Sequence, residues 1–384
     1  MMGVAPRQAP VARVRLIDLG REYRTIRDEL LAACERVLDR MQLLGGEEVR
    51  AFESEMAAYL GAAHATGVAS GTDALRLGIR AAGIGEGDEV LIQANAFMAA
   101  VEALVDAGAR PVPVDIQLDD LGPDPADLAA RIGARTRAIL VVHLHGFPVD
   151  MEPVLSLARE RGLVVVEDCS HAHGATLDGR RVGTFGAVGA FSLGVVKNLA
   201  AYGDAGIITT DNAEIAARVK HLGTHGQVKK NEHAFYGGNS RLDELHAATL
   251  RVKLRTLDAR NARRAAIAAY YTERFGALVV PPPDDPRRTH VFHQYVIRTP
   301  EREALREYLA GLEIETGIHY PVPIHRHPAW RDMFGDMLGD VFGEGPSLPR
   351  AELVAREMLS LPVHPDLTDG EVEHVAESVV RFFG

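Results

Sequence analysis

Apolar positions recur along this chain with more than one period. From Glu22 to Met41, Ile26, Leu30, Leu31, Val37 and Leu38 fall at helical spacing. Glu47 to Leu60 repeats the pattern with Val49, Phe52 and Tyr59 on one face, after a break at Leu44-Gly45-Gly46. Shorter apolar runs follow at Ala65–Val68, Glu89–Gln93, Pro111–Asp115, Ala138–Leu144 and Leu163–Val166, and these read as strands. Between them lie helical patterns at Ala74–Ala82, Met98–Ala107, Pro125–Ile132 and Glu152–Arg161. Strand and helix alternating at this spacing predict an α/β fold, with a mostly parallel central sheet and helices on both faces.

The pattern changes after residue 168. Phe185–Phe191 with Ser192, and Gly206–Thr210, read as short strands joined by glycine turns. Leu242–Phe275 reads as one long helix that can bend, and Pro281-Pro282-Pro283 marks a break. The remainder mixes strands (His290–Arg298, Glu313–Tyr320) with helices (Arg302–Leu312, Ala351–Met358, Glu371–Phe383). This is an α+β pattern and predicts a smaller C-terminal domain, 256–384, beside a large domain, 1–255. Residues 1–15 are read as flexible.

Composition narrows the function classes. The 384 residues are 47% hydrophobic and 25% charged, an ordinary globular balance that supports a core around a sizeable sheet. A net charge of −11 argues against a nucleic-acid partner. Two cysteines, Cys34 and Cys169, exclude a disulfide framework and a cysteine-rich metal site. The opening residues lack the apolar stretch of a signal peptide, and no run approaches the ~18 apolar residues of a membrane helix. A soluble, cytoplasmic protein without a membrane partner is expected.

Candidate chemistry gathers between Val164 and Asp211. The apolar run at 163–166 ends in Glu167-Asp168, as a buried parallel strand with an acid at its C-terminal edge does. Lys197 follows among small and apolar neighbours, where desolvation lowers an amine's pKa and makes it a nucleophile toward carbonyls. A strand-end acid and a sheltered lysine suit pyridoxal phosphate chemistry. Asp168 reads equally as a helix cap, and Lys197 as a solvated loop lysine. Ser70-Gly71-Thr72-Asp73 opens a helix and presents free amides to a phosphate, although the same residues make a plain N-cap. Gly83-Ile84-Gly85-Glu86-Gly87 precedes a strand instead of following one, so it reads as a helix stop, not a dinucleotide fingerprint.

Nine segments together resemble the DegT/StrS-type aminotransferases, which are fold type I pyridoxal phosphate enzymes of amino-sugar synthesis. They are Ser70–Leu75, Val142–Gly146, Glu167–Ala175, Phe191-Ser192, Lys197–Leu199, Tyr202–Gly206, Asn239–Leu245, Gly317–Pro321 and Leu361–Pro365. The resemblance runs from about Leu16 to the C-terminus. It implies that Lys197 is the Schiff-base lysine and Asp168 the partner of the pyridine nitrogen. It also implies that Phe97 stacks on the cofactor ring, that Gly71, Thr72 and Ser192 hold the phosphate, and that His171 lies near the O3′ oxygen. Asn239 would reach the phosphate of a neighbouring subunit, so the site would be shared in a homodimer. His319 and Tyr320 would face the substrate. The implied reaction moves an amino group from glutamate, through pyridoxamine phosphate, to a nucleotide-linked ketosugar. Asn239–Arg255 most resembles enzymes acting at C3 of a dTDP-3-keto-6-deoxyhexose. Amination at C4, amination of a cyclitol ketone, and a non-catalytic regulator that binds the cofactor are the alternatives. Relatives commonly have glycine at Ala200 and Ala205, changes that could alter the pocket, and the residues before Lys197 lack the usual aromatic and proline. Asp168, Cys169, His171 and His173, and separately His319, His325 and His327, are metal-ligand types. Asp168 and His171 already have cofactor roles, so no metal is expected.

Overall fold

The computed structural model describes residues 13–334 and 346–384. In chain order, α1 (Leu19–Arg40) and α2 (Glu47–Leu60) lead to β1 (His64–Val68), α3 (Gly71–Ala81), β2 (Glu89–Gln93) and α4 (Met98–Asp106). Next come β3 (Arg110–Val114), α5 (Pro125–Arg131), β4 (Thr136–Val142), α6 (Met151–Arg161) and β5 (Val164–Asp168). Short strands β6 (Thr176–Leu177) and β7 (Arg180–Arg181) precede β8 (Val188–Ser192) and β9 (Gly206–Thr210). Then follow α7 (Ala213–Gly223), the hairpin of β10 (Gln227–Lys229) and β11 (Glu232–His233), α8 (Glu244–Leu254) and α9 (Leu257–Phe275). The last part holds β12 (Arg288–Thr289), β13 (Tyr295–Arg298), α10 (Arg302–Gly311), α11 (Pro328–Phe334), α12 (Pro349–Glu357), β14 (Met358–Leu361) and α13 (Asp369–Phe383).

Seven strands form one sheet in the order β1-β9-β8-β5-β4-β2-β3. Pairing is parallel from β8 through β3, while β9 runs antiparallel to both β8 and β1. The strands read as unbroken apolar runs because both faces are covered. Val90, Ile92, Leu140 and Val166 bury into a cluster with α3 and α4, whereas Leu91, Ile139, Val141 and Val165 bury on the opposite face with residues of α5 and α6. A separate cluster joins α9, β13, α10, β14 and α13 through Tyr271, Phe275, Tyr295, Leu305, Leu359 and Val375. No helix among the described residues is long and apolar enough to cross a membrane.

Glu244 ties two distant segments together. Its buried carboxylate accepts the amides of Gly46, Glu48 and Val49 at 2.5, 2.9 and 3.2 Å. Those are unpaired donors at the start of α2, where negative charge is favoured.

Several expectations change. The single helix over 242–275 is two, broken at Arg255-Thr256. The strand expected over 313–320 does not form. Glu313 takes a positive φ of 58°, and the segment's strand-like pairing is limited to isolated bridges, Val14 to Ile314 and Gly317 to Ser360. The strand expected from His290 starts at Tyr295, and Met358, expected to end a helix, opens β14 instead. Residues 1–12 of the segment read as flexible lie outside the described residues; Val14 is buried and bridged.

Candidate active site

The C-terminal edge of the parallel strands carries the site, where α/β sheets place their ligands. Ser70 ends the turn after β1, Phe97 follows β2, Leu144 follows β4, Asp168 ends β5 and Ser192 ends β8. They enclose a cavity of about 180 Å³ together with Gly71, Thr72, His171, Lys197 and Tyr320. A groove of about 600 Å³ beside α10 is larger, but it is open, does not include Lys197 and is lined by Arg13, Arg306, Glu307 and Glu315.

One wall is the start of α3. Ser70 caps the helix by accepting the Asp73 amide at 3.1 Å. Gly71 and Thr72 are the first two helical residues, so no preceding turn accepts their amides. Glycine at 71 lets this turn lie against β8, since an added Cβ would stand 2.5 Å from the Ser192 Cβ. Gly206 on β9 likewise passes directly under the Ser70 carbonyl. The result is a cluster of free amides and the Ser192 hydroxyl at the positive end of a helix, which is what a phosphate requires.

Opposite lies Asp168, buried, with Oδ1 accepting the Ser170 amide at 3.0 Å. Lys197 sits on a turn, its amide donating to the Gly194 carbonyl at 2.9 Å. Burial pulls its amine down to about 8, although the charge of Asp168 acts the other way. A lysine in this state keeps roughly a tenth of its amine free at neutral pH, far more than an ordinary lysine, and the free amine is the form that attacks a carbonyl.

His171, His293 and His319 share a chamber with the lysine, and His145 contacts His171 and His319. His171 accepts the His145 amide at Nδ1, 3.3 Å away, so its neutral ring carries the proton on Nε2, which faces the Tyr320 hydroxyl at 3.4 Å. Burial, then the charge of Lys197, holds His171 well below the usual imidazole range. His145 and His319 are lowered to about 4, chiefly by burial. His293 packs on His171 with ring centroids 4.4 Å apart, and burial again lowers its pKa. Burial and the nearby Asp168 raise the Tyr320 phenol, so it stays protonated.

The expected site residues separate into three places. Gly71, Thr72, Phe97, Asp168, His171, Ser192, Lys197 and Tyr320 line the cavity together. Phe97 is 51% exposed and stacks on Tyr320 at 4.9 Å. His319 lines a second chamber of about 110 Å³ that shares His171, Lys197 and Tyr320 with the first. Asn239 does not line the cavity of its own chain; it is exposed and bridges Thr224. Ala200 and Ala205 are buried and line neither space directly. The sequence reading did not single out Arg264 and His293, which line the second chamber.

The metal-ligand types do not assemble as grouped in the sequence. His143, Glu167 and Cys169 form the close trio instead. His143 uses Nδ1 on the Val149 amide and Nε2 on Glu167, whose oxygens also take the Gly183 and Gly186 amides. Burial, then Glu167 and Asp168, keeps the Cys169 thiol protonated, so the trio is a satisfied buried network.

Comparison with known proteins follows the same lines. A dTDP-3-amino-3,4,6-trideoxy-alpha-D-glucose transaminase of Streptomyces venezuelae is 43% identical over 97% of each chain. A pleiotropic regulatory protein of Geobacillus stearothermophilus is 39% identical over 96% of this chain and 98% of its own. The crystal structure of S. venezuelae DesV in complex with a ketimine intermediate superposes with a TM-score of 0.92 at 42% identity, covering 97% of this chain and 99% of that one. The profile of the DegT/DnrJ/EryC1/StrS aminotransferases matches residues 24–380, and the chain belongs to that pyridoxal phosphate-dependent family.

Proposed function

We propose that this protein is an aminotransferase that moves an amino group from glutamate to C3 of a dTDP-linked 3-keto-6-deoxysugar. The observation that carries the reading is the placement of Lys197 and Asp168 in one cavity with the free amides of α3. These groups fit pyridoxal phosphate: a helix start for the phosphate, an acid for the ring nitrogen and a low-pKa amine for the carbonyl. When bound, the cofactor supplies an electron sink and a carbon that accepts and releases the amino group.

The protein's own residues do the rest. Gly71, Thr72 and Ser192 hold the phosphate. Asp168 keeps the ring nitrogen protonated. Phe97 would cover the ring, and His171, whose Nε2 faces the Tyr320 hydroxyl, would stand near the ring oxygen. The Lys197 amine would serve as the general acid–base, taking up and returning the proton at the donor's Cα. His319 and Tyr320 face the sugar. Asn239 completes the phosphate site of a second copy, so the working unit is a homodimer with shared sites. Exposed apolar residues on and after α1 (Leu31, Leu38, Met41, Leu43, Leu44) and before Asn239 (Phe235, Tyr236) support a partner there. The relative named for 3-amino-trideoxyglucose supports C3.

The test is an assay of purified protein with glutamate against a panel of nucleotide ketosugars, with product regiochemistry read by NMR. Amination at C4 alone, or of a cyclitol alone, overturns the substrate assignment. The similarity to a regulatory protein supports a second reading, a cofactor-binding regulator. Glutamate changes the cofactor's visible absorption in an enzyme and leaves it unchanged in an inert binder.

A further inference from the structure

The chamber beside Lys197 is lined by an arginine that forms no ion pair among the described residues. Arg264 on α9 lines it, and its guanidinium donates from Nη1 to the Phe292 carbonyl at 3.2 Å. No carboxylate among the described residues pairs with it. Its neighbours on the same helix differ: Arg260 pairs with Asp366 at 2.7 Å and Arg263 with Asp369 at 2.6 Å. Burial, then the charge of Arg260, lowers Arg264 to about 10, well under the usual guanidinium range; Glu22 and Asp366 act the other way, from beyond ion-pair distance. A sheltered cation left unpaired is costly, and most of the five-donor fork remains to be used.

The rest of the lining fixes what the chamber takes. His171, His293 and His319 are held neutral by burial, and Gln294, Tyr320, Leu361 and Val363 carry no charge. No acid lines the space. Its volume of about 110 Å³ suits a small anionic group and not a nucleotide. Lys197 lies in its wall, so a group held there sits beside the amine that moves the proton.

We propose that Arg264 recognises a carboxylate of the amino-acid donor, in a chamber separate from the cradle at the start of α3. This rests on the aminotransferase reading and adds the residue that selects the donor. Planar guanidinium and planar carboxylate pair through two parallel hydrogen bonds, which an ammonium does not reproduce.

The experiment compares wild type, Arg264→Met and Arg264→Lys, each loaded with cofactor. Calorimetry gives the affinity for glutarate, an unreactive dicarboxylate, and steady-state kinetics give KM for glutamate and for the ketosugar separately. A lost charge-assisted hydrogen bond of roughly 1.5–3 kcal/mol predicts glutarate affinity and glutamate KM worse by about 10- to 100-fold in Arg264→Met. KM for the ketosugar stays at the wild-type value, and Arg264→Lys falls between. Unchanged glutarate affinity, or equal shifts for donor and sugar, overturns the proposal. If Arg264→Met shows no cooperative melting, Arg264→Lys decides, because wild-type glutarate affinity there refutes recognition by the fork. Failure of the wild type to accept any amino-acid donor refutes the aminotransferase reading itself, and that arm is scored independently of the variants.

Discussion

Gly71→Ala tests whether the start of α3 is a cofactor cradle or a plain helix cap. The added Cβ would meet the Ser192 Cβ at 2.5 Å, its Cα at 2.8 Å and its Oγ at 3.0 Å. Carbon atoms rest about 3.5–4.0 Å apart, so the first turn of α3 must retreat from β8 by roughly 1 Å. Overpacking of this kind costs about 1–3 kcal/mol. Alanine returns up to about 1 kcal/mol as a better helix former than glycine, and Gly71 has no positive φ to forbid it. The net loss of stability is therefore small, and the melting temperature alone decides nothing. Cofactor affinity does decide, because the retreat carries away the two free amides. Losing one charge-assisted hydrogen bond, about 1.5–3 kcal/mol, weakens binding roughly 10- to 100-fold. The assay is an absorbance titration of the cofactor-free protein with pyridoxal phosphate, with Gly78→Ala as the control. That change drives a Cβ to 2.6 Å from the Val188 Cγ1, on the same helix and the same sheet but away from the cavity. It should lower the melting temperature and leave the cofactor affinity alone. A Gly71→Ala protein that binds within threefold of wild type, or a Gly78→Ala protein that loses affinity equally, refutes the cradle.

Asp168→Asn keeps an oxygen for the Ser170 amide, so the melting temperature should hold while kcat falls. Activity within about threefold of wild type, roughly 0.7 kcal/mol of barrier, removes Asp168 as the ring partner. In the cofactor-free protein, labelling of Lys197 by an amine-reactive acylating reagent, followed by mass spectrometry, should rise with pH around a midpoint near 8. The same depressed value makes the unfolded chain bind more protons between about 8 and the ordinary lysine range, so the contribution of Lys197 to stability rises with pH across that window. A labelling midpoint in the ordinary lysine range contradicts the sheltered amine. Mixing inactive Lys197→Ala with inactive Asn239→Asp should restore part of the activity once subunits exchange, because one site of the mixed dimer then carries neither lesion. No recovery, with heterodimers confirmed by mass, places Asn239 outside the shared site.

The parts of the site that were legible in the sequence are those built at strand ends. Glu167-Asp168 closes an apolar run, and Ser70 to Asp73 opens a helix, so local pattern alone put them at the sheet edge. Arg264 was invisible for the opposite reason. It lies in an Ala- and Arg-rich helix, where only tertiary packing turns one arginine inward while Arg260 and Arg263 find acids. The break between α8 and α9 has no glycine or proline to announce it; Thr256 simply takes φ −111° and ψ 0°. The segment 313–320 alternates like a strand, but no neighbour supplies a ladder over its length. Met358–Leu361 becomes β14 because β13 lies beside it, a partner that helical spacing does not reveal. The helix α7 was missed although Asn212 caps it through the amides of Glu214 and Ile215. That asparagine, just before an amphipathic stretch, was the overlooked start signal.

The strand order has a consequence for how the chain comes to hold anything at all. β2 to β5 are neighbours joined by local crossovers, so each can dock as it is made. β1 is made first among the strands, yet its sole partner in the sheet is β9, the last strand of that sheet to be made. Synthesis proceeds at roughly 5–20 residues per second, so β1 and α3 wait several seconds with an open edge before β9 arrives. Over that interval the amides of Gly71 and Thr72 have no Ser192 beside them and Ser70 has no Gly206 beneath it. The sheet grows outward from its middle, and capture of the cofactor belongs to the closing step. A nascent chain halted before Gly206 contains the phosphate turn, the acid and the lysine, but not β9, the strand that ties β1 into the sheet.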